Sequence, residues 1–157
     1  MEEVWLPAEW VAEIVGISPT RYGQWVKRRI LREAGYGQCT EMHALEAAVA
    51  ATLRTSISSL IQLRIAIDRL RPALGHVRSQ KIPGTMDIVW DRKRKKAVWV
   101  YNEHDLAAAV RIGRDVIVIA MSKRLQEVRN EFQRQAQDRA GEAEGAPTLR
   151  VVEPESA

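Results

Sequence analysis

The chain has 157 residues, 46% of them apolar and 28% charged, a balance that excludes disordered, fibrous and collagen-like classes and leaves enough length for a core of its own. A single cysteine, Cys39, excludes an internal disulfide, and no C-x-x-C or clustered Cys/His pair offers a zinc site. The longest apolar run, Val116 to Met121, has six residues, against the roughly 20 needed to span a bilayer.

The amino-terminal MEEVWLPAEW is acidic and lacks a positive n-region and an apolar h-region, so the expected location is cytoplasmic, with no membrane partner. Net charge is +4, unevenly spread. Residues 138–157 carry five acids and two arginines, a net of −3, which leaves +7 on residues 1–137. A basic body is compatible with a polyanionic partner but equally serves solubility, so position has to decide.

The first helix is expected from Pro7 through Ala8 to Val15, with Trp10, Val11, Ile14 and Val15 as its apolar stripe. Gly16 ends it. Ser18 is placed as the N-cap of a second helix whose first residue is Pro19. Two helices joined by a short Gly-containing turn form the helix-turn-helix pattern, whose second helix can lie in a major groove. The window Pro19 to Arg32 contains Arg21, Lys27, Arg28, Arg29 and Arg32 and no acid, while Tyr22, Trp25, Val26 and Ile30 are spaced to face inward. The cations suit phosphates, and Thr20, Arg21 and Gln24 near the amino end have donors for base edges. A solvated helix face is the alternative explanation of such a basic stretch.

Gly35 and Gly37 allow a tight reversal from which Tyr36 and Gln38 project, with room for a small wing. Thr40 can cap a third helix, Glu41 to about Arg54, with Met42, Leu45, Val49 and Leu53 at helical spacing. A fourth follows from Ser56 or Ser58 to Leu74. Its Ile57, Leu60, Ile61, Ile65, Ile67 and Leu70 form more than one stripe, which predicts burial on two sides, in the core or against a second copy.

Gly16-Ile17-Ser18, the basic second helix with Trp25, the Ile30-Leu31 pair and the Gly-Tyr turn resemble the winged helix-turn-helix of MerR-type regulators and phage excisionases, over about residues 5 to 74. In that pattern Gly-Val-Ser precedes a Thr-(Leu/Val)-Arg-(Tyr/Trp) run and later a Gly-Leu-Leu or Gly-Arg-Leu. Here Arg21, Tyr22, Gly23 and Gln24 occupy the run, and Arg29 replaces the later Gly. The family's usual arginine is therefore Gly23 in this chain. Arg21 with Lys27 or Arg28 are the nearest substitutes for backbone contacts, and Gln24 for a base contact.

Beyond Gly75 the pattern changes to strands. Thr85 to Trp90 and Ala97 to Tyr101 read as a hairpin joined by the charged run Asp91 to Lys96, with Ile88 and Trp90 on one face and Val98 and Val100 on one face of the second strand. The run Arg92-Lys93-Arg94-Lys95-Lys96 suits either a second phosphate contact or a solvated tip that discourages sheet association. A short helix, Glu103 to Val110, capped by Glu103 or Asp105, precedes a third strand, Asp115 to Ala120, expected to be central and buried. A last helix is expected from Ser122 to about Gln137, with Leu125, Val128 and Phe132 inward, followed by a disordered acidic tail holding the apolar island Leu149 to Val152.

The whole is read as α+β: an N-terminal all-α winged helix-turn-helix for DNA binding and dimerisation (1–75), a small α+β module (76–137) and a tail (138–157). No P-loop, dinucleotide, H-E-x-x-H or G-x-S-x-G motif occurs, and His43, His76 and His104 share no metal-ligand spacing, so neither catalytic residues nor a metal or cofactor are expected. Cys39 is weighed only as a thiol sensor. The reading is a sequence-specific transcriptional regulator, a repressor, contacting double-stranded DNA through Ser18, Thr20, Arg21, Gln24, Lys27, Arg28, Arg29, Arg32, Tyr36 and Gln38 and acting as a homodimer. The resemblance extends to self-repressing antitoxins that hold a toxin through the part off the DNA, here residues 76–157. The rival is a protein-interaction or effector-sensing adaptor without DNA binding.

Overall fold

Pro7 has no backbone N–H and sits at φ −58°, ψ 145°, so the residues before the first helix are extended and free to pair. In the computed structural model, which describes residues 4–77, 80–112 and 115–152, they do pair. Strand β1 (Leu6–Pro7) lies antiparallel to β2 (Gln38–Cys39), Leu6 opposite Cys39. The chain is α+β, but its N-terminal part is not all-α as expected, because this small ladder ties the start of the chain to the segment after the second helix.

Helix α1 (Ala8–Val15) buries Val11, Ala12 and Val15. It stops at Gly16, at φ 87°, where the N–H of Ile17 returns to the Ala12 carbonyl at 3.0 Å. A residue with a Cβ would pay about 1–2 kcal/mol for that left-handed turn. Helix α2 (Pro19–Lys27) starts as the sequence indicates, the Ser18 hydroxyl accepting the Arg21 N–H at 3.0 Å.

Helix α3 (Glu41–Arg54) is the centre of the molecule, burying nine residues including Leu45, Val49 and Leu53, with alanines that let neighbouring helices approach. Its N-terminus is closed by Thr40, whose backbone N–H donates to His43 Nδ1 at 3.0 Å. Helix α4 (Leu60–Val77) buries Leu63, Ala66, Ile67, Leu70, Leu74 and Val77 on a single side. Ile61 and Ile65, one turn apart, are 72% and 44% exposed, so the second apolar stripe meets solvent rather than core. The helix continues past Gly75, which the sequence reading had made the end of a unit.

Strands β3 (Asp87–Asp91), β4 (Lys96–Val100) and β5 (Val116–Ala120) form an antiparallel sheet in the order β4-β3-β5. The expected hairpin is present, with Val89 opposite Val98. β5 is an edge and only partly buried, not the central strand its Val-Ile-Val-Ile run suggested; β3 holds the centre because it hydrogen-bonds to both neighbours. Ile88, Trp90, Ala97, Trp99, Ile117 and Ile119 face the helices, and the Trp99 indole donates to the Leu70 carbonyl at 2.9 Å. Helix α5 (Glu103–Ile112) is capped by Asn102, whose Oδ1 accepts the Asp105 N–H at 2.8 Å, rather than by Glu103 or Asp105.

Helix α6 (Ser122–Val152) runs on beyond Gln137 into the segment read as a disordered tail; residues 153–157 and the side chains of the 149–152 island lie outside the described residues. Its Leu125, Val128, Phe132 and Ala136 are buried against α3 and α1 and join one apolar cluster that extends from Leu6 across both halves of the chain. Full burial of a Leu, Val or Phe side chain is worth about 1.5–3 kcal/mol, several times an exposed ion pair at about 0–1 kcal/mol. The apolar faces therefore set the layout. Two arginines of α6 complete it. Arg124 Nη2 donates to the Val15 carbonyl at 2.9 Å, capping α1. Arg129 donates to the carbonyls of Val77 (2.6 Å) and Gln80 (2.7 Å) and approaches Glu41 at 3.3 Å, joining the ends of α4 and α3.

Candidate nucleic-acid interface

Helix α2 is two-faced. Tyr22 and Trp25, three residues apart, are buried, whereas Thr20, Arg21, Gly23, Gln24 and Lys27 are exposed. The helix is shorter than the acid-free window Pro19 to Arg32 suggests. It ends at Lys27; Arg28 is its cap, and Arg29 enters the left-handed region at φ 61°. The N–H groups of Ile30 and Leu31 then return to the Trp25 carbonyl at 2.9 and 3.2 Å. Adjacent residues on a helix point about 100° apart, so Ile30 and Leu31, 1% and 3% exposed, both reach the core only because the chain reverses here. Burying the pair offsets the cost of the left-handed residue, about 1–2 kcal/mol. Arg29 occupies the very position where the resembled pattern has glycine.

The side chains of Arg21, Lys27, Arg28 and Arg29 are exposed and make no ion pair among the described residues. Arg21 and Lys27 are on the helix, whereas Arg28 and Arg29 project from its end, so the expected row of five cations on one helix is instead two plus a basic terminus. Arg32 is diverted. Its guanidinium is 3.0 Å from Glu46 Oε2, a carboxylate only 1% exposed. Arg71 of α4 binds the other Glu46 oxygen, reaches Asp68 at 2.7 Å and donates to the Ile30 carbonyl at 3.2 Å. Burial lowers the Arg71 pKa, but hydrogen bonding and charge from Glu46 and then Asp68 outweigh it and raise it. A buried carboxylate without such partners would be prohibitively desolvated. The three-residue clamp thus fixes the end of α2 to α3 and α4.

Gly35–Gly37 is a single 3-10 turn with Tyr36 at φ 54° and fully exposed, so that side chain does project. The strand after it pairs with β1, not with a strand of its own hairpin. Gln38, expected to project beside Tyr36, is half-buried, and its Oε1 accepts from Arg139 of α6 at 3.4 Å. Arg139 also lies over the Trp10 ring, 5.8 Å from its centroid, and donates to the Trp5 carbonyl at 3.2 Å.

At the hairpin tip Arg92 binds Asp115 with Nε at 2.8 Å, and Asp91 Oδ1 accepts the N–H groups of Lys93 and Arg94 at 3.1 and 3.0 Å. Lys93, Lys95 and Lys96 remain exposed. Cys39 is buried 3.4 Å from the Tyr22 hydroxyl; burial pushes the thiol pKa up, the Tyr22 hydrogen bond opposing, and burial pushes the Tyr22 hydroxyl up further. A neutral, enclosed thiol is a packing group, not a reactive sensor.

Sequence reasoning passed over two groups. Arg64, Asp68 and Arg71 form a polar row on α4 at i, i+4 and i+7, and with Lys27, Arg29 and Arg32 they line an open cleft of about 670 Å³. Glu46 was visible as the one charge in the run Leu45 to Ala51. Among the described residues no group of three or more His, Cys, Asp or Glu is placed to hold a metal, and no helix is long and apolar enough to cross a membrane. No protein-family profile matches the chain, and no curated protein matches it.

Proposed function

We propose that the chain is a sequence-specific DNA-binding transcriptional regulator that reads a major groove with α2. The observation that carries this reading is the outward set Arg21, Lys27, Arg28 and Arg29, unpaired among the described residues, with Thr20 and Gln24 beside them and Tyr22 and Trp25 anchoring the opposite face. An α-helix about 10–12 Å across with its side chains fits a groove about 12 Å wide, and nine residues lay about 14 Å of helix along it. Thr20, Arg21 and Gln24 take the base edges, and Lys27, Arg28 and Arg29 take phosphates, with Tyr36 on the flanking backbone. The Ser18 oxygen is occupied by the Arg21 N–H, which leaves its O–H free to donate to a phosphate. Arg32 and Gln38 serve the fold and drop out of the contact set. The exposed Ile61–Ile65 pair of α4 is the surface for a second copy, and a symmetric dimer reads two half-sites about one helical turn apart or a multiple of it.

A salt titration of binding to a labelled duplex, read by fluorescence anisotropy, tests the reading. Three cations on phosphates give a log–log slope of about −3 per bound chain, at about −0.9 per phosphate. Arg28→Ala with Arg29→Ala lowers affinity on every sequence and flattens the slope by about 2. Affinity and slope equal to those of the parent chain would reject this face.

One observation favours a protein partner in addition. On the sheet face opposite the core, where Val89 and Val100 are buried, Val98 and Val118 on the two edge strands are exposed, as are Tyr101 and Val110 nearby in the chain. This supports an antitoxin-type arrangement in which the C-terminal half holds a second protein. Co-purification of the neighbouring gene product, lost on Val98→Lys with Val118→Lys, tests it.

A further inference from the structure

The cleft between the end of α2 and α4 carries a charge pattern that the DNA contacts do not use up. Lys27 and Arg29 enter it from one side and Arg64 from the other, and none of the three has an ion-pair partner among the described residues. Arg32 and Arg71 form its floor, held by Glu46 and Asp68. Including Glu33, five cations face two carboxylates along the wall, and counting Glu46 beneath them the cleft keeps a net charge of +2. Its volume, about 670 Å³, lies within the roughly 300–1,000 Å³ of small-ligand sites. Arg29 holds its place in a left-handed backbone conformation that arginine rarely adopts, and such outliers concentrate at functional positions.

We propose that this cleft binds a small, multiply charged phosphoanion, of the di- or triphosphate class, bridged between Arg64 on α4 and Lys27 and Arg29 at the end of α2. A phosphate chain suits the site because guanidinium groups present paired donors to adjacent oxygens, and because a singly charged ion cannot satisfy cations on both walls. The binding itself stands independently of the DNA reading. Its consequence rests on that reading: the ligand and the DNA backbone compete for Lys27 and Arg29, so a filled cleft releases the duplex.

The test uses the full chain and inorganic tripolyphosphate, titrated by calorimetry in about 150 mM salt, where exposed charges beyond about 8 Å are screened. Saturable binding of one anion per chain is expected, weakened at least tenfold by Arg64→Ala. Arg64 is exposed and has no partner to lose among the described residues, so an unchanged melting curve accompanies the loss. Lys93→Ala with Lys95→Ala at the hairpin tip leaves binding as it was. In the second arm tripolyphosphate displaces a labelled duplex from the parent chain at lower ionic strength than sodium chloride needs, and this advantage disappears in Arg64→Ala. Absence of saturable heat, binding indifferent to Arg64→Ala, or binding lost in the tip variant each overturns the site. Duplex binding without tripolyphosphate binding overturns the site alone. Arg64-dependent tripolyphosphate binding without duplex affinity upholds the site and removes the DNA reading.

Discussion

Arg29 offers a test in which one position separates charge from backbone strain. At φ 61° it pays about 1–2 kcal/mol relative to a residue that enters the left-handed region freely. Arg29→Gly removes that cost but adds about 0.5–1 kcal/mol of unfolded-chain entropy, for a net stabilisation of about 0.5–1 kcal/mol. Arg29→Ala keeps a Cβ in the same strained place and leaves stability near that of the parent. Both variants lose the same cation, so duplex affinity falls equally in each. Urea unfolding at neutral pH reads the first difference, and at about 2–4 °C per kcal/mol for a chain of this size a thermal melt reads it too. Equal stability of the Gly and Ala variants would refute the claim that Arg29 fills a glycine position, and unequal DNA affinity would refute the claim that its role there is charge alone.

Other residues give sharper stability effects. Arg71→Met leaves the buried Glu46 with Arg32 alone and costs about 2–3 kcal/mol, whereas Arg32→Ala, removing a half-exposed partner, costs less than half of that; the reverse order in urea melts would show that the clamp is misassigned. Arg124→Met exposes no apolar surface but leaves the Ile14 and Val15 carbonyls without their donor, and protection of the α1 and α2 amides against hydrogen exchange falls while that of β3 holds. Cys39 and Tyr22 are neutral in the fold because burial raises both pKa values, while the unfolded chain releases their protons from about 9.0 and 10.0 upward. Their contribution is thus complete below pH 9 and declines above it, by up to about 1.4 kcal/mol per pH unit for each group. Cys39→Ala abolishes the first decline in melts between pH 8 and 10, and a maleimide labels Cys39 in the parent only once the chain unfolds.

Local chemistry was legible where one residue decides the outcome. Ser18 before Pro19, Gly16 after Val15 and Thr40 before Glu41 announce helix ends in the sequence, and the structure places those ends there. What escaped was decided by residues far apart in the chain. The end of α2 depends on Ile30 and Leu31 both being wanted by a core assembled from α3 and α4, which no window of the sequence around Lys27 reveals. The edge position of β5 follows from β3 pairing on both sides, a matter of topology, not of the Val-Ile-Val-Ile composition. Of the candidate contacts, Arg21, Gln24 and Lys27 were readable from helical spacing alone. The withdrawal of Arg32 by Glu46 and of Gln38 by Arg139 was not, because each partner lies on a distant helix.

The unbroken apolar cluster from Leu6 to Ala136 limits how this protein can be taken apart. Leu125, Val128 and Phe132 press on the helix that supports α2, so a fragment cut at residue 75 would present a greasy trench to water and lose the guanidinium that closes α1. Grafting the first helices onto another protein would carry the same debt.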